Sequence, residues 1–182
     1  MERYIALLRG VNVGGNNTIS MKALKALFEN CGFYEVLTYI NSGNIIFSCE
    51  ESDLVALKTR LEASIFESFG LNIPLMLISA QELRQALNNS PTWWDEDEGS
   101  KHNAIFVIPP FSVEEIFAQV GAIKPEYEKV GFYGKVIFWS APLNTFSKTR
   151  WSKIVGTAVY EQVTIRNANT IKKLLKLALT SE

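Results

Sequence analysis

At 182 residues the chain can form one compact domain or two small ones. Its 47% hydrophobic and 20% charged residues make an ordinary globular balance, which argues against disorder. The apolar runs fall far short of the ~20 residues that span a bilayer, so no membrane partner is expected, and a formal charge of −1 is not that of a uniformly basic nucleic-acid binder.

The N-terminus "MERYIALLRG" lacks a long apolar stretch and a small-residue cleavage site, so no signal peptide is expected. Tyr4 to Leu8 is a continuous apolar run and reads as a buried strand, followed by the loop "GVNVGGNN". Ser20 is expected to cap a helix carrying Leu24, Leu27, Phe28 and Cys31, stopped by Gly32. Val36 to Ile40 and Ile45 to Phe47 read as a hairpin with its turn at Asn41 to Asn44. Ser52 is expected to open a longer helix, with Leu54, Leu57, Leu61, Ile65 and Phe69 as its stripe and Gly70 as its end. Ile73 to Ile78 follows as a strand, and Pro74 suggests an edge position. Ser79 and Glu82 form a capping box for a helix to about Asn89.

The polar stretch "NNSPTWWDEDEGSKH" reads as a linker. The same order of elements then recurs. Ala104 to Ile108 is a strand, Ser112 and Glu115 box a helix, and Tyr127 to Ser140 is a hairpin turning at Tyr133-Gly134. A helix is expected within 144–155, stopped by Gly156, then a short strand over Val163 to Ile165 and a last helix capped by Asn169. The pattern predicts an α+β fold of two ferredoxin-like βαββαβ units with antiparallel sheets, each followed by an extra helix. The expected bounds are 1–89 for the first unit, 90–102 for the linker and 103–182 for the second unit.

This topology says which loops meet. In each unit the loop after the first strand and the hairpin turn share one end; the exits of the third and fourth strands share the other. In the first unit, Arg9 and Asn12 should therefore converge with Asn41, Ser42 and Asn44. In the second, the stretch "FSKTRWSK" should approach "RNANT", bringing Lys148, Arg150 and Arg166 to two helix N-termini beside Asn167 and Asn169. Helix N-termini carry unpaired N–H groups and partial positive charge, which suits an anion. From Lys148 onward seven Lys/Arg stand against two Glu, a balance of +5 that leaves −6 on the first 147 residues. A solvated helix face accounts for Lys172, Lys173 and Lys176, and Trp151 reads first as a core anchor.

Other chemistries fit poorly. "GVNVGGNN" has Asn16-Asn17 where a phosphate-binding P-loop needs Lys and Ser/Thr, and it lacks dinucleotide-binding spacing. The single histidine, His102, makes a Ser-His-Asp triad or a multi-histidine metal site improbable. The three aspartates, Asp53, Asp95 and Asp97, fall outside both constellations, and the "DEDE" run reads as a solvated loop. "VGFYGKVIFW" is out of step with the aromatic strands that stack RNA bases. Cys31 and Cys49 form no CxxC pair and read as reduced thiols in a cytoplasmic protein.

The strings "YIALLRGVNVGGNN", "TYINSGNIIF", "FSKTRWSKIVG" and "VTIRNANT", in this order, resemble the bacterial domain-of-unknown-function family 1697. Asn41 stands where Gln is common in that family, and Val11 where Ile is common. The resemblance implies a two-lobed α+β fold built on ferredoxin-like units, and implies no activity. The expected function is therefore the one argued from the residues: a cytoplasmic binding protein or enzyme for a small phosphorylated or carboxylated metabolite. The expected ligand set is Lys148, Arg150, Arg166, Asn167, Asn169, Arg9, Asn12, Asn41, Ser42 and Asn44. No cofactor and no metal are expected, catalytic residues and oligomeric state stay open, and nucleic acid is not the expected partner. The alternatives are a non-catalytic protein–protein interaction module or an RNA-binding domain.

Overall fold

The computed structural model describes residues 1–180. By contacts the chain divides into two units, Met1–Leu83 with the residues from Lys173, and Arg84–Lys172. Each unit contains a four-stranded antiparallel sheet with helices, and the protein is an α+β fold of two ferredoxin-like units. Among the described residues no helix is long and apolar enough to cross a membrane.

In the first unit the elements are β1 (Glu2–Leu8), α1 (Met21–Asn30), β2 (Tyr34–Thr38), β3 (Asn44–Cys49), α2 (Leu54–Phe69) and β4 (Leu75–Ser79), and the division between the units falls within the following α3 (Ala80–Asn88). The sheet order is β2-β3-β1-β4, and β1 runs antiparallel to both neighbours. The N-terminus of β4 follows Pro74 at the sheet edge, where a missing N–H breaks no ladder. The Ser20 hydroxyl caps α1 by accepting from the Ala23 N–H. At α2 the cap is Asp53 rather than Ser52, because its carboxylate accepts from both the Val55 and Ala56 N–H groups. Ser79 and Glu82 make the reciprocal box that starts α3.

One face of this sheet carries Tyr4, Ala6 and Leu8 of β1 and Ile45 and Phe47 of β3. It packs against Leu24 and Phe28 of α1 and Leu57, Leu61 and Ile65 of α2. Phe47 is ringed by Phe28, Phe33 and Tyr4, with centroids 4.7–5.9 Å away. Burying one such side chain stabilises the fold by about 1.5–3 kcal/mol.

The second unit contains β5 (Ser100–Val107), α4 (Val113–Val120), β6 (Lys129–Tyr133) and β7 (Val136–Pro142). Two 3₁₀ turns follow, Leu143–Lys148 and Trp151–Ile154, then α5 (Ala158–Glu161) and β8 (Val163–Asn167); α6 (Ala168–Leu179) begins in this unit and its residues from Lys173 count with the first. The sheet order is β6-β7-β5-β8. Ile105, Ile137 and Trp139 face a core closed by Ile116, Ile154 and the fully buried Trp151.

The single helix expected within 144–155 is interrupted for a local reason. The Thr149 hydroxyl donates to the Phe146 carbonyl and accepts from the Ser152 N–H. It thereby closes one turn and opens the next in place of a continuous backbone ladder. The expected linker also differs. Strand β5 already begins at Ser100, and residues 91–98 lie as a strap on the second unit's own sheet. Trp94 is buried, donates its indole N–H to the Asn103 carbonyl and meets Phe138 edge-on at 4.9 Å. Pro91 and Trp93 lie so close over Gly131 that a Cβ there would come 3.0 Å from the Pro91 ring. An ion pair between Lys172 and Asp95 holds the strap further along.

A buried aromatic of this size predicts a specific defect. Trp94→Ala should lower unfolding free energy by about 3–5 kcal/mol, measured by denaturant titration. Limited proteolysis should then cut within 91–99 in the variant, while that segment stays resistant in the wild type.

Candidate functional site

The two Asn/Gly loops of the first unit do converge. The Asn12 amide donates to the Ile19 carbonyl and to both the backbone and side-chain oxygens of Asn41, at 2.9–3.1 Å. Its own oxygen accepts from the Ile19 N–H. The Asn44 amide is buried and donates to the Tyr39 carbonyl and the Ser42 hydroxyl. Gly43 lets the hairpin press against the β1 exit: a Cβ there would lie 2.8 Å from the Leu8 Cβ. The half-buried Arg9 receives its place from its backbone N–H, which donates to the Pro74 carbonyl. These bonds knit the loops to each other. Ile40 beside them is half exposed with φ +48°, a backbone region that β-branched residues rarely adopt.

The cationic residues of the second unit do not form one cluster. Along β8, Val163 and Ile165 face the core that holds Trp151, so Thr164 and Arg166 point to the opposite side of the sheet. The Arg166 guanidinium donates to the Thr164 hydroxyl at 2.8 Å and to the Ile165 carbonyl at 2.9 Å. Burial pushes its pKa down to about 10, still charged at neutral pH. Arg150 and Lys148 flank Trp151 on the helix side instead. The Arg150 Nε reaches the Ala122 carbonyl at 3.4 Å, and the Lys148 ammonium stands 5.5 Å from the centre of the Tyr127 ring. The topology brings the right loops to the right end; the alternation of β8 then turns Arg166 away. At the start of α6 the cap is Asn167, whose side chain accepts from the Thr170 N–H, and Asn169 is exposed within the first turn.

A carboxylate of the protein itself takes the backbone donors at this end of the unit. Glu128 is buried, and its carboxylate accepts from the backbone N–H groups of Lys124 at 3.0 Å, Arg150 at 2.9 Å and Trp151 at 3.2 Å. It thus satisfies the unpaired donors at the start of the second 3₁₀ turn.

Two concave sites flank this anchor. One is an open depression of about 410 Å³ between the end of α4, the second 3₁₀ turn and α5. Arg150 and Lys153 line it with Gln119, and Val120, Ile154 and Val159 give it apolar walls. A 3₁₀ turn has three residues per turn, so Arg150 and Lys153 project to the same side. No carboxylate lines it, and neither cation is in an ion pair among the described residues.

The other is a cleft of about 240 Å³ between the strap and residues 125–129, with Ser140 among its lining residues. His102 of β5 stands directly opposite Ser140 of β7, and its Nδ1 is 2.7 Å from the Ser140 Oγ. Neither this pair nor Glu128 was singled out from sequence. Finding the pair requires β5 to begin by Ser100, and Glu128 carries no local signature at all. Among the described residues no group of three or more His, Cys, Asp or Glu could hold a metal ion.

The fold and these sites define a two-unit ferredoxin-like α+β protein. The chain belongs to the family described as "Protein of unknown function (DUF1697)", whose family model matches residues 1–138. It is similar to a solved structure described as the conserved bacterial protein SP0830 from Streptococcus pneumoniae. Identity is 31%, 97% of this chain and 98% of that chain are covered, and the TM-score is 0.88. Comparison with curated proteins yields no match.

The Glu128 anchor makes a two-part prediction. Glu128→Ala should cost roughly 2–4 kcal/mol, because buried N–H groups are left without an acceptor. Added acetate or phosphate should then raise the melting temperature of the variant more than that of the wild type.

Proposed function

We propose that the protein is a cytoplasmic binder of a small phosphorylated or carboxylated ligand, held by Arg150 and Lys153 in the depression of the second unit. The observation that carries this reading is the pairing of two cations on one side of an open, carboxylate-free hollow of about 410 Å³. Arg150 is anchored only through Nε, at 3.4 Å from the Ala122 carbonyl, and through its backbone. Its two terminal nitrogens are directed to no protein acceptor among the described residues. A guanidinium so held can grip phosphate or carboxylate through two parallel bonds, and lysine adds a point charge. The apolar walls from Val120, Ile154 and Val159 suit a ligand with a hydrocarbon or ring portion next to its anionic group.

A base-stacking RNA platform fits less well. Strand β7 is buried from Val136 to Ala141, and the strap's Trp94 lies on Phe138, so the aromatic side chains of that strand are not open to bases. The free thiols Cys31 and Cys49 agree with a reducing compartment.

Arg150→Ala and Lys153→Ala should each weaken anion binding about 10-fold or more, since a charge-assisted hydrogen bond is worth ~1.5–3 kcal/mol, with little change in melting temperature. Calorimetric titration with phosphate-bearing and carboxylate-bearing metabolites reads this directly. Equal affinities in wild type and both variants would contradict it, as would a collapse in stability of the Arg150 variant.

A further inference from the structure

We propose that Ser140 is a nucleophile activated by His102, and that the cleft beside it accepts the acyl group of a small neutral carboxylic ester. This site is separate from the anion depression and rests on different residues.

The geometry fixes the histidine's tautomer. His102 Nε2 lies 2.6 Å from the Asp97 backbone carbonyl oxygen, a distance that calls for an N–H on Nε2. The Nδ1 lone pair is then left to accept. It receives the Asp95 N–H at 3.0 Å and faces the Ser140 hydroxyl at 2.7 Å. A base within hydrogen-bond reach of a hydroxyl, and oriented by a third group through its other nitrogen, is the arrangement nucleophilic catalysis needs. Here a backbone carbonyl does the orienting. The Asp97 carboxylate lies 3.8 Å from Nε2.

Strand register supplies the counter-charge. Lys129 of β6 pairs with Ser140 of β7, and Ser140 pairs with His102 of β5. Directly paired residues share a sheet face, so Lys129, Ser140 and His102 form one row. Lys129 also lines the cleft, which makes it the cation available to a carbonyl oxygen that develops negative charge there. The cleft's walls include Trp93, Pro125, Tyr127 and Pro142, which suit a small apolar acyl group. Asp97, Glu126 and Glu128 also line it and outnumber Lys129, which disfavours an anionic substrate.

The reaction balances as an ester hydrolysis. The Ser140 Oγ attacks the ester carbonyl carbon as its proton passes to His102 Nδ1, displacing the Asp95 N–H contact. The carbonyl electron pair moves onto oxygen, whose charge Lys129 is available to offset. When that pair re-forms the double bond, the bond to the alkoxy group breaks, and His102 returns the proton to the departing alcohol. Water then adds to the acyl-serine with His102 again taking its proton. Release of the carboxylic acid restores the Ser140 hydroxyl.

The test is labelling of the full chain with a fluorophosphonate, together with hydrolysis of p-nitrophenyl acetate. The expected result is one phosphonyl adduct, with fluoride lost, mapped by mass spectrometry to the peptide containing Ser140. Ser140→Ala should abolish labelling and hydrolysis. His102→Gln, which keeps hydrogen-bonding capacity without a basic nitrogen, should slow both by roughly 100-fold or more; melting curves establish that each variant is folded. The proposal is overturned if the wild type gains no adduct at Ser140, if the adduct lies elsewhere, or if a folded variant hydrolyses the ester at the wild-type rate. The wild-type labelling decides the matter even if a variant fails to fold.

Discussion

The buried carboxylate of Glu128 binds the backbone N–H groups of Lys124, Arg150 and Trp151, and so determines how the chain runs from β7 to β8. A charge taken out of water costs several kcal/mol unless it is compensated, and three oriented N–H donors provide that compensation. With the backbone pinned on either side of the Arg150–Trp151 bond, the Trp151 ring goes into the core against Phe117 and the Arg150 side chain goes outward. The same glutamate lines the cleft that holds Ser140. These two concave sites therefore share one anchor while differing in charge: Arg150 and Lys153 line one, and Asp97, Glu126 and Glu128 outnumber Lys129 in the other.

The strap at 91–98 does for the sheet's other face what the 3₁₀ turns do for the first. Trp94 meets Phe138, Pro91 and Trp93 sit over Gly131, and the Asp95 and Asp97 backbones reach His102. The histidine is thus held at both ring nitrogens by hydrogen bonds to the strap, with the serine hydroxyl 2.7 Å away. Such support is what keeps a reacting pair within a few tenths of an ångström of its geometry.

Much of the fold was legible in the sequence because it is written locally. The Ser20, Ser79 and Ser112 caps, the Gly70 stop, the β3 and β4 apolar runs and the twofold repetition of element order each depend on neighbours in sequence. Convergence of Asn12 with Asn41 was legible too, since strand direction alone brings those loops together. Three features were not. The break at Thr149 is a competition between one hydroxyl and the helical ladder, which propensity does not decide. The strap looked like a linker because its acidic residues mask two tryptophans whose partners, Gly131 and Phe138, are some 40 residues away. The sidedness of Arg166 follows from its alternation with Val163 and Ile165, which brings like charges to one end of the unit but not to one face.

The Arg150 and Trp151 amides have no backbone acceptor and depend on the Glu128 carboxylate, so their hydrogen exchange reports on the anchor alone. Native-state exchange of these two amides, followed by NMR, is the most direct test of the account. It predicts protection comparable to that of central β5 and β7 amides in the wild type, lost at both positions in Glu128→Ala. Exchange of either amide at the rate of an open loop in the wild type would contradict it.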